Sequence, residues 1–208
     1  MKKGMCITYE VEGALYVNVT NKCSNKCVFC IRNNADGAYG SDPLWLQREP
    51  TVSEIVNDIL SRDLTRYREM VFCGYGEPSY RLSDICEAVK KVREIYPDIK
   101  VRINTNGQSD LILGFDTEDL YEGVFDAVSI SLNSPHREKY QEICQSVFGE
   151  NAFDAMLLLA KRLKDKVPSV YFSVVDKFIS PEDLLECERI ASECDIPLRV
   201  RAYIGKET

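Results

Sequence analysis

The sequence contains no apolar run approaching the roughly 20 residues that cross a bilayer. Its start, MKKGMCITYEVEG, carries two lysines with no hydrophobic stretch behind them. It reads as neither a membrane span nor a secretion signal, and the expected location is the cytoplasm. A basic surplus is missing as well. The formal net charge is −7, so no overall field draws the chain to nucleic acid or to an anionic membrane, although a local phosphate-binding patch is compatible with that total. No internal repeat, low-complexity stretch or composition break marks a linker. Residues 1–208 are therefore expected to form one domain.

What is present is an ordinary globular balance, with 45% hydrophobic and 28% charged residues. Apolar, β-branched runs fall at 14–20, 68–73, 99–104, 125–132, 169–176 and 197–203. Helical spacing and helix-start signals lie between them. Thr51 and Glu54 form a capping box, 82–96 is amphipathic with Pro97 just beyond it, Pro135 opens a helix reaching about Cys144, 151–166 continues the pattern, and Ser180-Pro181 starts the last helix.

Strand and helix in alternation predict an α/β fold with a mostly parallel sheet, and six strands are too few to close an eight-stranded barrel. The strands alternate instead of being apolar throughout. Leu15, Val17 and Val19 oppose Tyr16, Asn18 and Thr20; Val128, Ile130 and Leu132 oppose Ser129, Ser131 and Asn133. Helices on the apolar face leave the other face as a polar, concave interior. The expectation is an open, partial (β/α)6 TIM-like barrel with a wet ligand site.

Nine cysteines in a chain of this kind argue for thiol and metal chemistry rather than a disulfide framework. Only Cys23, Cys27 and Cys30 cluster, in NKCSNKCVFCIR directly after the first predicted strand. A [4Fe–4S] cube usually takes four thiolates, so three would leave one iron open to a non-protein ligand. A structural zinc site wants four ligands, but the lone histidine, His136, follows a different strand and no second cysteine pair exists. A redox pair of Cys27 and Cys30 leaves Cys23 unexplained, and buried unliganded thiols fit poorly with so polar a segment.

Cys-x3-Cys-x-aromatic-Cys after the first strand resembles the signature of the radical S-adenosylmethionine (SAM) superfamily. The resemblance implies a [4Fe–4S] cluster on the three cysteines, with SAM chelating the unique iron. It implies reductive cleavage of SAM to a 5′-deoxyadenosyl radical that abstracts hydrogen from a substrate, and it sets Phe29 beside the adenine. GYGEP (Gly74–Pro78) is similar to the family's Gly-Gly-Glu-Pro motif, with Tyr75 departing from the usual glycine. It implies that Gly74, Gly76 and Glu77 hold the SAM amino group. NTNG (104–107) resembles the turn near the SAM ribose, bringing in Asn104 and Asn106. SISLN (129–133) resembles a segment that places Ser131 at the SAM carboxylate with Asn133 nearby. Each motif follows a successive strand at the edge where α/β folds bind ligands.

More closely, YVNVTNKCSNKCVFCIRN and VFCGYGEPSYRL resemble the TatD-associated radical SAM proteins. The name implies a TatD-family metal-dependent hydrolase as a partner, and the chemistry implies a reductant protein of flavodoxin or ferredoxin type. Read from the alternation, Tyr16, Asn18, Arg199, Arg201 and Tyr203 line the interior as substrate contacts, with Arg102 on the face of Asn104. Lys22, Lys26 and Arg32 flank the cysteines. A basic mouth on an acidic protein suggests an anionic substrate, and metabolite, nucleotide and protein partner all remain open. The competing class is an iron–sulfur electron carrier or sensor without SAM chemistry, which would make Glu77, Asn104 and Ser131 incidental.

Overall fold

The computed structural model describes residues 3–203. Seven strands form one sheet in chain order: β1 (Thr8–Val11), β2 (Ala14–Val17), β3 (Met70–Phe72), β4 (Val101–Thr105), β5 (Ala127–Ser131), β6 (Ser169–Val175) and β7 (Leu198–Arg201). β2 to β7 run parallel, matching the six expected strands, and the end strands do not pair with each other, so the sheet stays open. β1 is an addition. It pairs antiparallel with β2 across a tight turn in which Glu12 (φ 46°) and Gly13 (φ 76°) are both left-handed.

The helices are α1 (Val52–Leu60), α2 (Leu82–Arg93), α3 (Ser109–Leu113), α4 (Arg137–Cys144), α5 (Asn151–Leu163) and α6 (Pro181–Cys194). The expected capping box closes the start of α1: Thr51 Oγ1 accepts from Glu54 N at 3.2 Å, and Glu54 Oε2 accepts from Thr51 N at 2.8 Å. Ser180 caps α6 with Pro181 in its first turn. Only the short α3 crosses between β4 and β5, whereas α4 and α5 both lie between β5 and β6. Among the described residues, no helix is long and apolar enough to cross a membrane.

One sheet face is a continuous apolar row, Val17–Phe72–Ile103–Val128–Val170, in register across five strands. Ile55 and Ile59 of α1, Ile85, Val89 and Val92 of α2, and Met156, Leu159 and Leu163 of α5 bury it. The opposite face is concave. Tyr9, Tyr16, Arg102, Asn104, Ser129, Tyr171, Arg199 and Arg201, drawn from six of the strands, line a single cavity of about 550 Å³. The β1–β2 hairpin and residues 34–46 roof it through a small second core of Tyr9, Val11, Ala38, Leu44 and Tyr75.

Candidate active site

The three clustered cysteines follow β2 in a loop that is held from behind. Lys26 N donates to Cys144 O and Val28 N to Ile143 O, both at 2.9 Å, so the loop is stitched to the C-terminal end of α4. Its polarity has a different cause from the exposure expected of it. Ser24 and Asn25 are buried, and they are hydrogen-bonded rather than solvated. Asn106 Nδ2 donates to Ser24 Oγ at 2.8 Å, and Gln108 Nε2 donates to Asn25 Oδ1 at 2.9 Å and to Tyr140 Oη at 3.0 Å. Ser146 Oγ completes the network by donating to Gln108 Oε1 at 2.9 Å.

Gln108 is 0% exposed and was not among the residues that sequence reasoning marked. Its one signal was a long amide directly after an Asn-Gly turn. Gln108→Leu is expected to strip partners from Asn25 and Ser146 and to lower stability by about 2–3 kcal/mol. Urea unfolding of the metal-free protein measures this, and faster iron loss from the loaded protein should accompany it.

Cys23, Cys27 and Cys30 are all partly buried. Burial pushes the Cys23 thiol up to about 12 and raises Cys30; the Cys144 thiol beside it, together with burial, raises Cys27. Such thiols keep their protons until a metal displaces them. A zinc site completed by histidine is ruled out by position: His136 is more than half exposed and faces Asp183 of α6, 3.7 Å away. Three soft thiolates in one loop fit an iron–sulfur cube with one open iron; Cys144, the one other thiol against them among the described residues, is fully buried behind Cys27.

The loop after β3 packs directly on this segment. A Cβ on Gly76 would stand 2.3 Å from Thr20 O and 2.6 Å from Lys22 O, so only glycine permits the approach. A Cβ on Gly74 would stand 2.1 Å from Asn18 Oδ1. Glu77 is buried, and its carboxylate accepts from Thr105 Oγ1 (2.7 Å), Asn106 N (2.7 Å) and Ser79 N (3.1 Å). Burial raises its pKa while these three donors oppose the shift. Glu77 and Asn106, expected against SAM, therefore spend their side chains tying the β3 and β4 loops to each other and to the cysteine loop.

Of the remaining expected cofactor residues, Phe29, Gly74 and Asn104 line the cavity together with Cys30. Ser131 is half-buried at the end of β5, in register with Ser173 of β6. Asn133 takes φ 58° just beyond, and its Oδ1 is buried without a partner among the described residues, as is Ser173 Oγ. Unsatisfied acceptors at the strand ends are what a bound polar ligand would complete.

Tyr16, Arg199, Arg201 and Tyr203 reach the cavity as expected of substrate contacts, but Asn18 does not. At 1% exposure it lies behind the wall, donating to Leu44 O (2.8 Å) and Cys6 O (3.3 Å) to fasten the roof. The basic mouth also shrinks. Arg102 pairs with Glu69 at 3.0 Å and donates to Asn104 Oδ1, Lys22 meets Glu49 at 3.4 Å, and Arg32 donates to Asn25 O at 2.8 Å. Cys73 lines the cavity, its thiol raised by burial and bonded to Asn104. Tyr75, the departure from glycine, points into the roof: its hydroxyl donates to Ala35 O (2.6 Å) and lies 3.0 Å from Gly37 O, and its ring meets Trp45 edge-on at 5.2 Å.

A profile of the Radical SAM superfamily matches residues 17–190, from the end of β2 into α6. The chain belongs to the radical SAM superfamily. Members of this superfamily use a [4Fe–4S] cluster and SAM, the pair that the thiol triad and the loops around it fit. GTP 3′,8-cyclase of Clostridium perfringens strain 13 is 24% identical over 186 residues, which is 89% of this chain and 53% of that protein, so the chain spans about half the length of this relative. Among solved structures, Streptococcus suis SuiB bound to its precursor peptide SuiA superposes with a TM-score of 0.68 at 20% identity, covering 92% of this chain and 39% of SuiB. SuiB bound to SAM gives 0.65 at 19%, covering 93% and 39%. At these identities the structural match establishes the radical SAM fold.

Proposed function

We propose that this chain cleaves SAM reductively at a [4Fe–4S] cluster on Cys23, Cys27 and Cys30, and that the 5′-deoxyadenosyl radical so formed takes a hydrogen atom from a small, polar, anionic substrate. The observation that carries the reading is that one cavity joins Cys30, Phe29 and Gly74 to the arginines of β7. Bound there and reduced, such a cluster would supply the electron that breaks a carbon–sulfur bond of the sulfonium. The protein's own part is positional. Phe29, packed on Phe178 at 5.0 Å, offers a fixed flat wall to an adenine; the backbone at Gly74 lies on the same cavity; and the hairpin and roof cover part of it.

The motif segments quoted above favour a place among the TatD-associated proteins, with a TatD-family hydrolase and a flavodoxin- or ferredoxin-type reductant as partners in the cytoplasm. The relatives named for GTP make a nucleotide one member of the anionic class.

Anaerobic incubation of the reconstituted protein with dithionite and SAM is expected to yield 5′-deoxyadenosine above a protein-free control, measured by chromatography. A fully loaded cluster with neither 5′-deoxyadenosine nor a heat of SAM binding would overturn the reading in favour of an electron carrier.

A further inference from the structure

Among the described residues, two exposed arginines on the last strand have no acid of their own. Arg199 and Arg201 stand opposite Ser173 and Val175 of β6, at alternate positions about 7 Å apart, so both reach the concave face. Among the described residues neither has a carboxylate within 4.0 Å, whereas Arg102 on the same wall is neutralised by Glu69. Glu12, at the hairpin turn, is the one carboxylate lining the cavity among the described residues. Arg199 lies over the ring of Tyr171, 3.6 Å from its centroid, which fixes the plane of its guanidinium. Lys177, over the Tyr203 ring at 5.8 Å, adds a further cation at that end.

One carboxylate is satisfied by a single bidentate guanidinium. Two neighbouring guanidiniums carry two positive charges, one more than a carboxylate balances. They suit a phosphoryl group, which offers three peripheral oxygens and close to two negative charges at neutral pH.

We propose that the substrate carries a terminal phosphoryl group held between Arg199 and Arg201 at the β7 end of the cavity, with the rest of the molecule directed toward Cys30 and Gly74. The inference rests on the reading of this cavity as the substrate chamber, and it narrows the anionic class to phosphate esters. Tyr16 and Tyr39 supply flat walls for the body of such a molecule, while Tyr171 carries Arg199.

Calorimetric titration of the cluster-loaded protein with phenyl phosphate and with benzoate tests it. Phenyl phosphate is expected to bind about tenfold more tightly than benzoate. Arg199→Ala and Arg201→Ala should each weaken phenyl phosphate about tenfold, the loss of a hydrogen bond to a charged group. Lysine at either position should recover part of the binding, because it restores charge without the fork. Arg189→Ala, on the exposed side of α6, should change nothing. No binding of phenyl phosphate, equal binding of benzoate, or indifference to both alanine variants would each overturn the proposal. The titration involves no reductant and no SAM turnover. A failure here leaves 5′-deoxyadenosine formation untouched, and a failure of SAM cleavage leaves this binding untouched.

Discussion

Alanine in place of Cys23, Cys27 or Cys30 is expected to take 5′-deoxyadenosine formation down to the level of the protein-free control. Iron after anaerobic reconstitution should fall from about four atoms per chain to near none, with loss of the brown absorbance near 400 nm. Each thiolate would terminate one iron, and the spare donors are badly placed: His136 faces Asp183 on the α6 side, and Cys144 is buried behind Cys27. The effect should be confined to the metal. The bonds from Asn106 to Ser24, from Gln108 to Asn25, and from Lys26 N and Val28 N to α4 hold the loop without the thiols, and the Asn25 N to Cys23 Sγ contact, 3.4 Å, is the weak one that Cys23→Ala removes. The urea midpoints of the metal-free variants should therefore stay close to that of the parent. Cys144→Ala is the informative contrast, because Cys144 touches Cys27 from the buried side and should leave the iron content largely intact. Full iron in any of the three alanine variants would remove that cysteine from the ligand set.

Gly76→Ala is expected to produce a loss of a different kind. The new methyl would meet two backbone carbonyls, those of Thr20 and Lys22, which cannot swing aside as side chains do. The loop must retreat, and the bond from Glu77 N to Lys22 O, 2.7 Å, goes with it. Stability should fall by about 1–3 kcal/mol, the usual cost of overpacking. SAM affinity measured by calorimetry should drop at least about tenfold, while iron still loads. Gly74→Ala offers a comparison within the same motif. Its methyl meets the Asn18 side chain, so shortening Asn18 to alanine should recover part of the loss, and a double-mutant cycle would register the coupling. No such partner exists for Gly76. If Gly76→Ala binds SAM as well as the parent, the close packing of these two loops is not what shapes the cofactor site.

Period-two alternation made β2 to β7 legible, because one face packs on helices and the other lines a wet cavity. The same logic put Arg199, Arg201 and Tyr16 on the right side of the sheet. It misplaced Asn18, which shares that face but lies under a roof that local pattern does not reveal. β1 escaped notice because its turn is Glu-Gly rather than the Asn-Gly or Asp-Gly pair that announces a hairpin. The roof, residues 34–46, is rich in glycine and aspartate and has no period to read. Ser24 and Asn25 were legible as polar but not as buried, since burial of a polar group depends on partners such as Gln108 that lie far away in sequence. Glu77 is a related case: a carboxylate in a motif reads as a ligand contact, and only the geometry shows three donors already on it.

Tyr75 has a consequence for energetics at a distance. Its backbone belongs to the loop that meets the cysteines, while its ring and hydroxyl belong to the cover over the cavity. A glycine there would let the two move independently; a tyrosine makes them one mechanical part. Tyr75→Gly is therefore expected to weaken SAM binding as well as to loosen the cover, read by calorimetry and by proteolysis within residues 34–46. The cofactor half of the chamber and the cover over the other half therefore share one aromatic side chain as their joint.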